Sequence, residues 1–186
     1  MKRLLDIVLA GVALAVFGIP LLVVALLVRV TSSGPVLYWS DRVGKGNRIF
    51  RMPKFRTMLS GTPAVATHLL ADPGRHLTPI GGFLRKTSLD ELPQIFTILK
   101  GEMSIVGPRP ALFNQDDLIA LRTAKGVHLL TPGLTGWAQV NGRDELPIPV
   151  KVGYDEYYLK NRSLLLDLKI ILLTVKQVIV GEGVSH

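Results

Sequence analysis

Residues 85–94 contain the side chains of this chain that are best suited to chemistry. Two adjacent carboxylates, Asp90 and Glu91, follow two cations, Arg85 and Lys86. Neighbouring anions repel each other, so the pair lowers stability unless something close by favours negative charge. A helix N-terminus, a divalent metal ion or a phosphoryl group could each provide that stabilisation.

The carboxylate pair has a structural and a functional interpretation. Ser88 and Glu91 have the spacing of a capping box, in which Ser88 would be the N-cap of a helix. Pro93 would then remove a backbone hydrogen bond, whereas Asp90 as N-cap would place Pro93 in the first turn, where proline is tolerated. In the functional interpretation, one carboxylate attacks phosphorus while its neighbour holds a divalent ion. The residue types alone leave both interpretations open.

Several cations lie outside simple charged runs and could bind phosphate. These are Lys54, Arg56, Arg85, Lys86 and Arg109. Lys54 and Arg56 alternate along a strand-like segment, which predicts that they share one face, either a phosphate site or a solvated surface. Arg109 stands between Pro108 and Pro110, so its backbone is rigid. It could stack on a base or bind phosphate with little loss of entropy, although an exposed turn is the simpler explanation.

Composition limits the classes of function. The 186 residues suffice for one domain with a core, and the net charge of +8 favours an anionic partner. The chain has no cysteine, and its four histidines lack metal-ligand spacing, which excludes disulfides and thiolate metal sites. Nucleic acid is disfavoured as a partner because no recognition-helix pattern is present and aromatic residues make up only 6%.

The segment from Ile7 to Val28 has no charged residue and is long enough to cross a bilayer as a helix. A cleaved signal peptide is disfavoured, since the apolar run is too long and no small-residue cleavage site follows. A spanning helix and a re-entrant helix both remain open. Pro20 inside the run and basic residues at both ends favour re-entry. Asp6 is expected to pair with Lys2 or Arg3 by helical spacing.

Periodicity and turn residues predict the remaining elements. A hairpin is expected from strands at residues 36–41 and 48–52, and a short third strand at residues 137–140. Residues 131–136 are expected to form a loop and Asn141-Gly142 a tight turn, with Arg143 just beyond it. Helices are predicted at residues 65–71, 80–85, 89–99, 115–125, 150–160 and 163–180. The last helix is apolar enough to pack in the core or to lie on a bilayer surface.

Taken together and in this order, the segments resemble the bacterial sugar transferase family, the membrane-monotopic phosphoglycosyl transferases. The resemblance covers essentially the whole chain. It rests on residues 2–7, 54–58, 88–94, 101–110 and 132–143, and on the closing residues Tyr154-Asp155-Glu156-Tyr157-Tyr158, Asn161, Ser163 and Asp167. Any one of these is modest support, whereas five in register are specific.

The resemblance implies a reaction and a set of roles. A sugar-1-phosphate would move from a UDP-sugar to a polyprenol phosphate, usually undecaprenyl phosphate, with release of UMP. Asp90 would be the nucleophile that forms an aspartyl phosphosugar, and Glu91, together with Asp90, would hold Mg²⁺ or Mn²⁺. Lys54, Arg56 and Arg85 would neutralise phosphates. The uridine part would be contacted by Pro108, Arg109 and Pro110, with Arg143 at the border of the site.

The resemblance also implies an architecture. The fold expected is α+β and mostly helical, with a small globular domain that contains a short β-hairpin and amphipathic membrane-surface helices. Residues 1–30 would form a re-entrant membrane helix broken at Pro20, and residues 31–186 the cytoplasmic catalytic domain at the bacterial inner membrane. Family members often have Ser-Pro at the break, where this chain has Ile19-Pro20, so re-entry must rest on the proline and on packing.

Other expectations concern the extent and role of the protein. The chain resembles a minimal catalytic unit, without the additional membrane helices of long family members, and a homo-oligomer is possible. It would start assembly of O-antigen, capsule, exopolysaccharide or a protein-linked glycan. The alternative is a membrane-anchored basic protein that binds without catalysis. The transferred sugar cannot be inferred from the sequence, and residues 60–80 are a candidate specificity loop.

Overall fold

The computed structural model describes residues 2–63, 72–142 and 146–180. Two sequence-based expectations therefore lie outside the described residues, the helix at residues 65–71 and the position of Arg143. Within the described ranges the chain is mostly helical, with two small two-stranded sheets. The predicted α+β class is confirmed.

The first helix, α1, runs over 30 residues from Lys2 to Thr31. It is the one helix in the described part of the chain that is long and apolar enough to cross a membrane. Its buried residues recur at helical spacing and are Asp6, Ala10, Leu21, Val24 and Val28. The opposite face is apolar and exposed, as at Leu4, Val12, Ile19, Leu22 and Val30. One face of α1 therefore packs on the rest of the protein along the length of the helix.

Polar contacts attach the first turns of α1 to the globular part. Asp6 is buried and accepts hydrogen bonds from Ser104 Oγ at 2.8 Å and from the Ile105 amide at 2.9 Å. Lys2 Nζ lies 2.8 Å from Asp167 Oδ2. The expectation that Asp6 pairs with Lys2 or Arg3 is therefore wrong. The reason is that Asp6 points inward on the packed face, where two donors from another element would otherwise lack an acceptor.

A β-hairpin follows α1. Strands β1 (Leu37–Val43) and β2 (Ile49–Phe55) pair antiparallel, with Leu37 opposite Phe55 and Val43 opposite Ile49. A short 3-10 turn, Lys45–Asn47, joins them, and Gly46 and Asn47 there adopt positive φ. Both strands extend further than predicted, to Val43 and to Phe55, while the predicted hairpin itself is confirmed.

The remaining elements are short helices around a second sheet. The helices are α2 (Gly81–Lys86), α3 (Gln94–Lys100), α4 (Asp116–Ala124), α5 (Trp137–Val140), α6 (Ile148–Asn161) and α7 (Leu164–Val180). Short 3-10 helices occur at Pro73–His76, Leu89–Glu91 and Val127–Leu129. The second sheet pairs β3 (Ser104–Val106) in parallel with β4 (Gly133–Thr135).

Both secondary-structure predictions for residues 131–140 are wrong. Residues 137–140, expected as a strand, form the helical turn α5, and the strand lies just before it, within residues 131–136, which were expected to be a loop. Three backbone hydrogen bonds hold β4 and the residues beside it to β3 and the loop after it: Ser104 N to Pro132 O, Gly107 N to Thr135 O, and Gly133 N to Pro108 O. Such long-range pairing cannot be inferred from a segment rich in glycine and proline.

Four buried clusters form the core. One joins Ala10 of α1 to Phe50 and Met52 of β2 and to Ile95 and Ile98 of α3. A second joins Leu21, Val24 and Val28 to Phe55 and Leu84. The helix α7 contributes the fully buried Ile170 to a third cluster. Its other face leaves Leu165, Leu168, Leu172 and Val175 exposed, so α7 both packs in the core and presents an apolar surface.

Candidate active site

The backbone between α2 and α3 places the two carboxylates side by side. Ser88 adopts the left-handed conformation, with φ 56°, which is uncommon for a residue other than glycine. The chain then forms the 3-10 turn Leu89–Glu91, and α3 begins only at Gln94, with Pro93 as its N-cap. Neither predicted N-cap, Ser88 or Asp90, is observed at α3, and Ser88 makes no side-chain capping bond. The single helix predicted for residues 89–99 is therefore interrupted.

Glu91 is held by two cations. Its Oε1 accepts hydrogen bonds from Lys54 Nζ at 2.7 Å and from Arg109 Nη2 at 3.0 Å. Burial alone would raise the pKa of Glu91, but the charges and hydrogen bonds of Arg109 and Lys54 outweigh it and hold the pKa well below its usual range. Glu91 is therefore an ionised carboxylate at neutral pH.

Asp90 has a different environment although it is the next residue. It is buried, and Lys54 Nζ lies farther from its carboxylate than from that of Glu91. Lys54 Nζ is 3.9 Å from its Oδ2. Burial raises the pKa of Asp90 above its ordinary value of 3.8, the charge of Lys54 opposes this, and the neighbouring negative charge of Glu91 adds to the rise. Two neighbouring carboxylates with pKa values shifted in opposite directions are typical of an active site.

The loop after β3 carries Arg109 to this site. Pro108 and Pro110 flank it, and close packing of glycines fixes the backbone around it. A Cβ atom on Gly133 would overlap the amide nitrogen of Gly107. The side chain of Arg109 is 33% exposed, and its guanidinium lies on Glu91. Arg109 is therefore both anchored at its backbone and accessible at its side chain.

The structure brings together most of the residues that the sequence singled out. Lys54, Asp90, Glu91 and Arg109 are in direct contact, and the charge of Arg85 acts on Asp90 by lowering its pKa. Arg56 has other partners, because Nε donates to Pro35 O at 2.6 Å and Nη2 donates to Ser32 O at 3.0 Å, just past the end of α1.

Two functional candidates were missed by sequence reasoning. Arg122 in α4 donates from Nη1 to the carbonyl oxygen of Arg109 at 2.8 Å, and its other nitrogens bind the buried Asp155. Asp155 is one of the residues that carry the family resemblance, but the resemblance implies no role for it. Nothing in the sequence signals Arg122, since an arginine in a predicted surface helix is usually solvated.

The two carboxylates could hold a divalent cation only together with ligands from outside the protein. Within residues 2–63, 72–142 and 146–180, no group of three or more acidic or histidine side chains could hold a metal ion. Mg²⁺ is, however, commonly bound by one or two carboxylates together with substrate phosphates and water. The ionised Glu91 beside Asp90 provides such an incomplete set of hard oxygen ligands.

One protein family and several known proteins match almost the whole chain. The model of the family described as bacterial sugar transferase matches residues 1–181. The chain is 38% identical to the UDP-N-acetylgalactosamine-undecaprenyl-phosphate N-acetylgalactosaminephosphotransferase of Aeromonas hydrophila, over 98% of this chain and 44% of that protein. It is 40% identical to the uncharacterized sugar transferase EpsL of Bacillus subtilis strain 168, over 100% of this chain and 91% of that protein.

A third relative is the UDP-glucose:undecaprenyl-phosphate glucose-1-phosphate transferase of Xanthomonas campestris pv. campestris. It is 41% identical over 100% of this chain and 40% of its own length. The chain thus spans less than half of the Aeromonas and Xanthomonas proteins and nearly all of the Bacillus one. Because the family model extends over almost every residue, including those that meet at Glu91, this chain belongs to the bacterial sugar transferase family.

Proposed function

We propose that this protein transfers a sugar-1-phosphate from a UDP-sugar to undecaprenyl phosphate and releases UMP. One observation carries the proposal: Asp90 and Glu91 are adjacent, yet Lys54 Nζ lies 2.7 Å from Glu91 Oε1 and 3.9 Å from Asp90 Oδ2. One carboxylate is thereby suited to bind and orient, and the other to react. The related proteins named as undecaprenyl-phosphate sugar phosphotransferases support the same reaction.

In the first half-reaction, a carboxylate oxygen of Asp90 attacks the phosphorus that bears the sugar. A bond forms between this oxygen and phosphorus, and the bond from phosphorus to the bridging oxygen of UMP breaks. UMP leaves with the electron pair, and the enzyme holds an aspartyl phosphosugar. Asp90 is suited to this step because burial raises the pKa of its carboxylate and so its basicity, while Lys54 Nζ stays 3.9 Å from its Oδ2.

The surrounding cations stabilise the negative charge of the diphosphate and of the transition state. Lys54 lies within reach of both carboxylates, and Arg85 and Arg109 surround the same position. Such charges are most effective in a partly desolvated site, where they are already in place before reaction. Asp90 and Glu91 would hold Mg²⁺, which would draw electron density from the phosphoryl oxygens.

In the second half-reaction, an oxygen of the lipid phosphate attacks the same phosphorus. A new P–O–P bond forms, the acyl phosphate bond to Asp90 breaks, and the carboxylate is regenerated. The product is a polyprenyl diphosphate sugar. The two half-reactions predict that UMP is released once per enzyme molecule even when no lipid acceptor is present.

We propose further that the protein is monotopic, with its catalytic domain on the cytoplasmic side of the membrane. Two contacts at the start of α1 and just past its end support the monotopic topology: Lys2 with Asp167, and the carbonyl of Ser32 with Arg56. A spanning helix would place its ends on opposite sides of a hydrocarbon core of about 30 Å. One small domain that binds both ends therefore supports a helix whose two ends lie on the same side.

The test is release of UMP from a panel of UDP-sugars, with undecaprenyl phosphate and Mg²⁺, by wild type and by Asp90→Asn. Release by the wild type alone would support the reaction, identify the donor sugar and establish the dependence on Asp90. A membrane-anchored protein that binds without catalysis would release no UMP and would bind the donor or lipid equally well in both forms. A variant that turns over as fast as the wild type would contradict the role of Asp90.

A further inference from the structure

A buried ion pair lies behind the loop that carries Arg109. Arg122 in α4 donates from Nε and Nη2 to Asp155 Oδ2 in α6, at 2.9 and 2.7 Å. The side chains of Arg122 and Asp155 are 9% and 1% exposed. Burying such a pair is costly, and hydrophobic residues often stabilise a core as well or better. The pair therefore calls for an explanation other than stability.

The third nitrogen of the Arg122 guanidinium suggests a reason for burying this ion pair. Nη1 donates to the carbonyl oxygen of Arg109 at 2.8 Å. A planar guanidinium fixed by a carboxylate on two nitrogens can direct its third nitrogen with little freedom. The sequence of contacts runs from Asp155 through Arg122 to the backbone of Arg109, and from the side chain of Arg109 to Glu91.

The neighbouring carbonyl groups show that the whole loop is held in the same way. Pro108 O accepts from Gly133 N at 2.9 Å, and Ala111 O accepts from Val43 N at 2.9 Å. Pro110 O accepts from Nη1 of Arg42 at 3.2 Å. With the bond to Arg109, four consecutive carbonyl oxygens are each held by a donor from another part of the chain. Two of the four residues are prolines and have no N–H, so the loop depends on donors from outside.

We infer that Arg122, oriented by Asp155, is a positioning residue for Arg109 and thereby sets the affinity for the uridine nucleotide of the donor. The inference rests on the proposed function, in which Arg109 contacts the donor. Arg122 does not touch the reacting atoms. It fixes the backbone from which the Arg109 side chain reaches both Glu91 and the nucleotide, so that this side chain is in place before the donor binds.

The experiment is a double-mutant cycle on the full-length protein between Arg122→Lys and Arg109→Ala. The readouts are KM and kcat for UMP release with undecaprenyl phosphate as acceptor, the Kd of UMP itself, and the thermal unfolding midpoint. In the wild-type background, Arg122→Lys should weaken donor and UMP binding roughly tenfold, the equivalent of one charge-assisted hydrogen bond. With Arg109→Ala already present, it should cause no further loss, because Arg122 acts through Arg109.

Two further variants keep the result interpretable. Asp155→Asn retains an oxygen that accepts from Arg122, so it should fold and should weaken UMP binding less than Arg122→Lys does. Arg51→Lys makes the same exchange at an exposed arginine of β2 that stacks on Trp39, and it should leave binding unchanged. A purely structural role for Arg122 would instead lower the unfolding midpoint and leave KM and the Kd of UMP unchanged.

The outcomes separate the inference from the proposed function. Unchanged UMP affinity in Arg122→Lys, an equal loss in the Arg109→Ala background, or no binding of UMP by the wild type would overturn the inference. Binding of UMP that depends on Arg122 and Arg109 as expected, without release of UMP from any donor, would uphold the inference and reject the proposed reaction.

Discussion

Lys54 Nζ lies 2.7 Å from Oε1 of Glu91, and the two side chains are both less than one-fifth exposed. The same ammonium group is 3.9 Å from Asp90 Oδ2. The cation is therefore bound to one carboxylate and acts at longer range on the other. This asymmetry separates the two carboxylates electrostatically, although they are neighbours in the sequence and share one turn.

The relationship predicts how the pH dependence of the first half-reaction responds to Lys54→Gln. Burial raises the pKa of Asp90, and the charge of Lys54 opposes that rise. Without the charge, the pKa rises further, so Asp90 stays protonated to a higher pH and cannot attack phosphorus. The acid limb of single-turnover UMP release should move to higher pH, whatever happens to the maximal rate. Arg51→Gln, at an exposed cation, is the matched control, and an acid limb that stays in place in Lys54→Gln would refute the assignment.

The proposed metal site predicts that activity depends on a divalent cation. Excess chelator should abolish UMP release, and Mg²⁺ or Mn²⁺ should restore it. Glu91→Gln should need a higher metal concentration, by about 10- to 100-fold for a lost contact at a metal site. The control is Glu102→Gln, at an exposed acid. Robust turnover of the wild type in excess chelator would contradict the role given to Glu91.

Local patterns in the sequence predicted most of the elements and the composition of the site, but not the contacts between distant segments. The hairpin, α2, α4, α6 and α7 follow from periodicity and turn residues. The parallel pairing of β3 with β4 does not, because Gly133–Thr135 has no strand-like side-chain pattern and is held by backbone bonds to residues near position 105. The hydrogen bonds that Asp6 accepts from Ser104 and Ile105 were not predicted either, because they join segments that are far apart in the sequence.

The backbone conformation of the site could not be predicted from local sequence motifs either. The spacing of Ser88 and Glu91 fits a capping box, yet Ser88 adopts positive φ and Glu91 turns to Lys54 and Arg109. Two charged hydrogen bonds to Glu91 are stronger than one bond to a backbone amide, so tertiary contacts prevail over the local motif. The position of Arg122 behind Arg109 could not be predicted, because its partner Asp155 is 33 residues away in sequence.

The backbone packing around Arg109 predicts a sharp difference between two glycines. Gly133→Ala would drive its Cβ into the amide of Gly107 and to 2.5 Å from Thr135 O, so we expect a loss of about 1–3 kcal/mol or more in the free energy of unfolding. Gly153→Ala, in the interior of α6 with open space around the new Cβ, should gain about 0.5–1 kcal/mol. Thermal unfolding in detergent measures both, and equal midpoints for the two variants would contradict the packing described.

The buried carboxylate of Asp6 predicts that α1 contributes to the stability of the globular domain. Asp6→Ala would leave the hydroxyl of Ser104 and the amide of Ile105 without an acceptor, at a cost of about 1–3 kcal/mol for each unsatisfied buried donor. Asp6→Asn keeps an oxygen in place and should cost less. The comparison is again the thermal unfolding midpoint, and a similar, small effect of both variants would mean that the contact carries little free energy.

The last prediction concerns Pro20, which lies inside α1 while the helix continues on both sides of it. Proline supplies no N–H to the carbonyl of Val16 and crowds the preceding turn, which favours a bend at the depth where a re-entrant helix must change direction. We expect that an N-terminal tag on the wild type lies on the same side of the membrane as the catalytic domain. Pro20→Leu should straighten the helix and favour a spanning topology, against the contacts that hold Lys2 and Asp6 to the domain.

Protection of the N-terminal tag from protease, in sealed inverted membrane vesicles, measures the change. Val23→Leu, at an exposed position one turn away, is the matched control and should leave the tag accessible. Because the chain has no cysteine, single cysteines placed at either end of α1 give a second measurement by labelling with an impermeant reagent. A tag that remains accessible in Pro20→Leu would show that the polar contacts at the ends of α1, and not the proline, determine the topology.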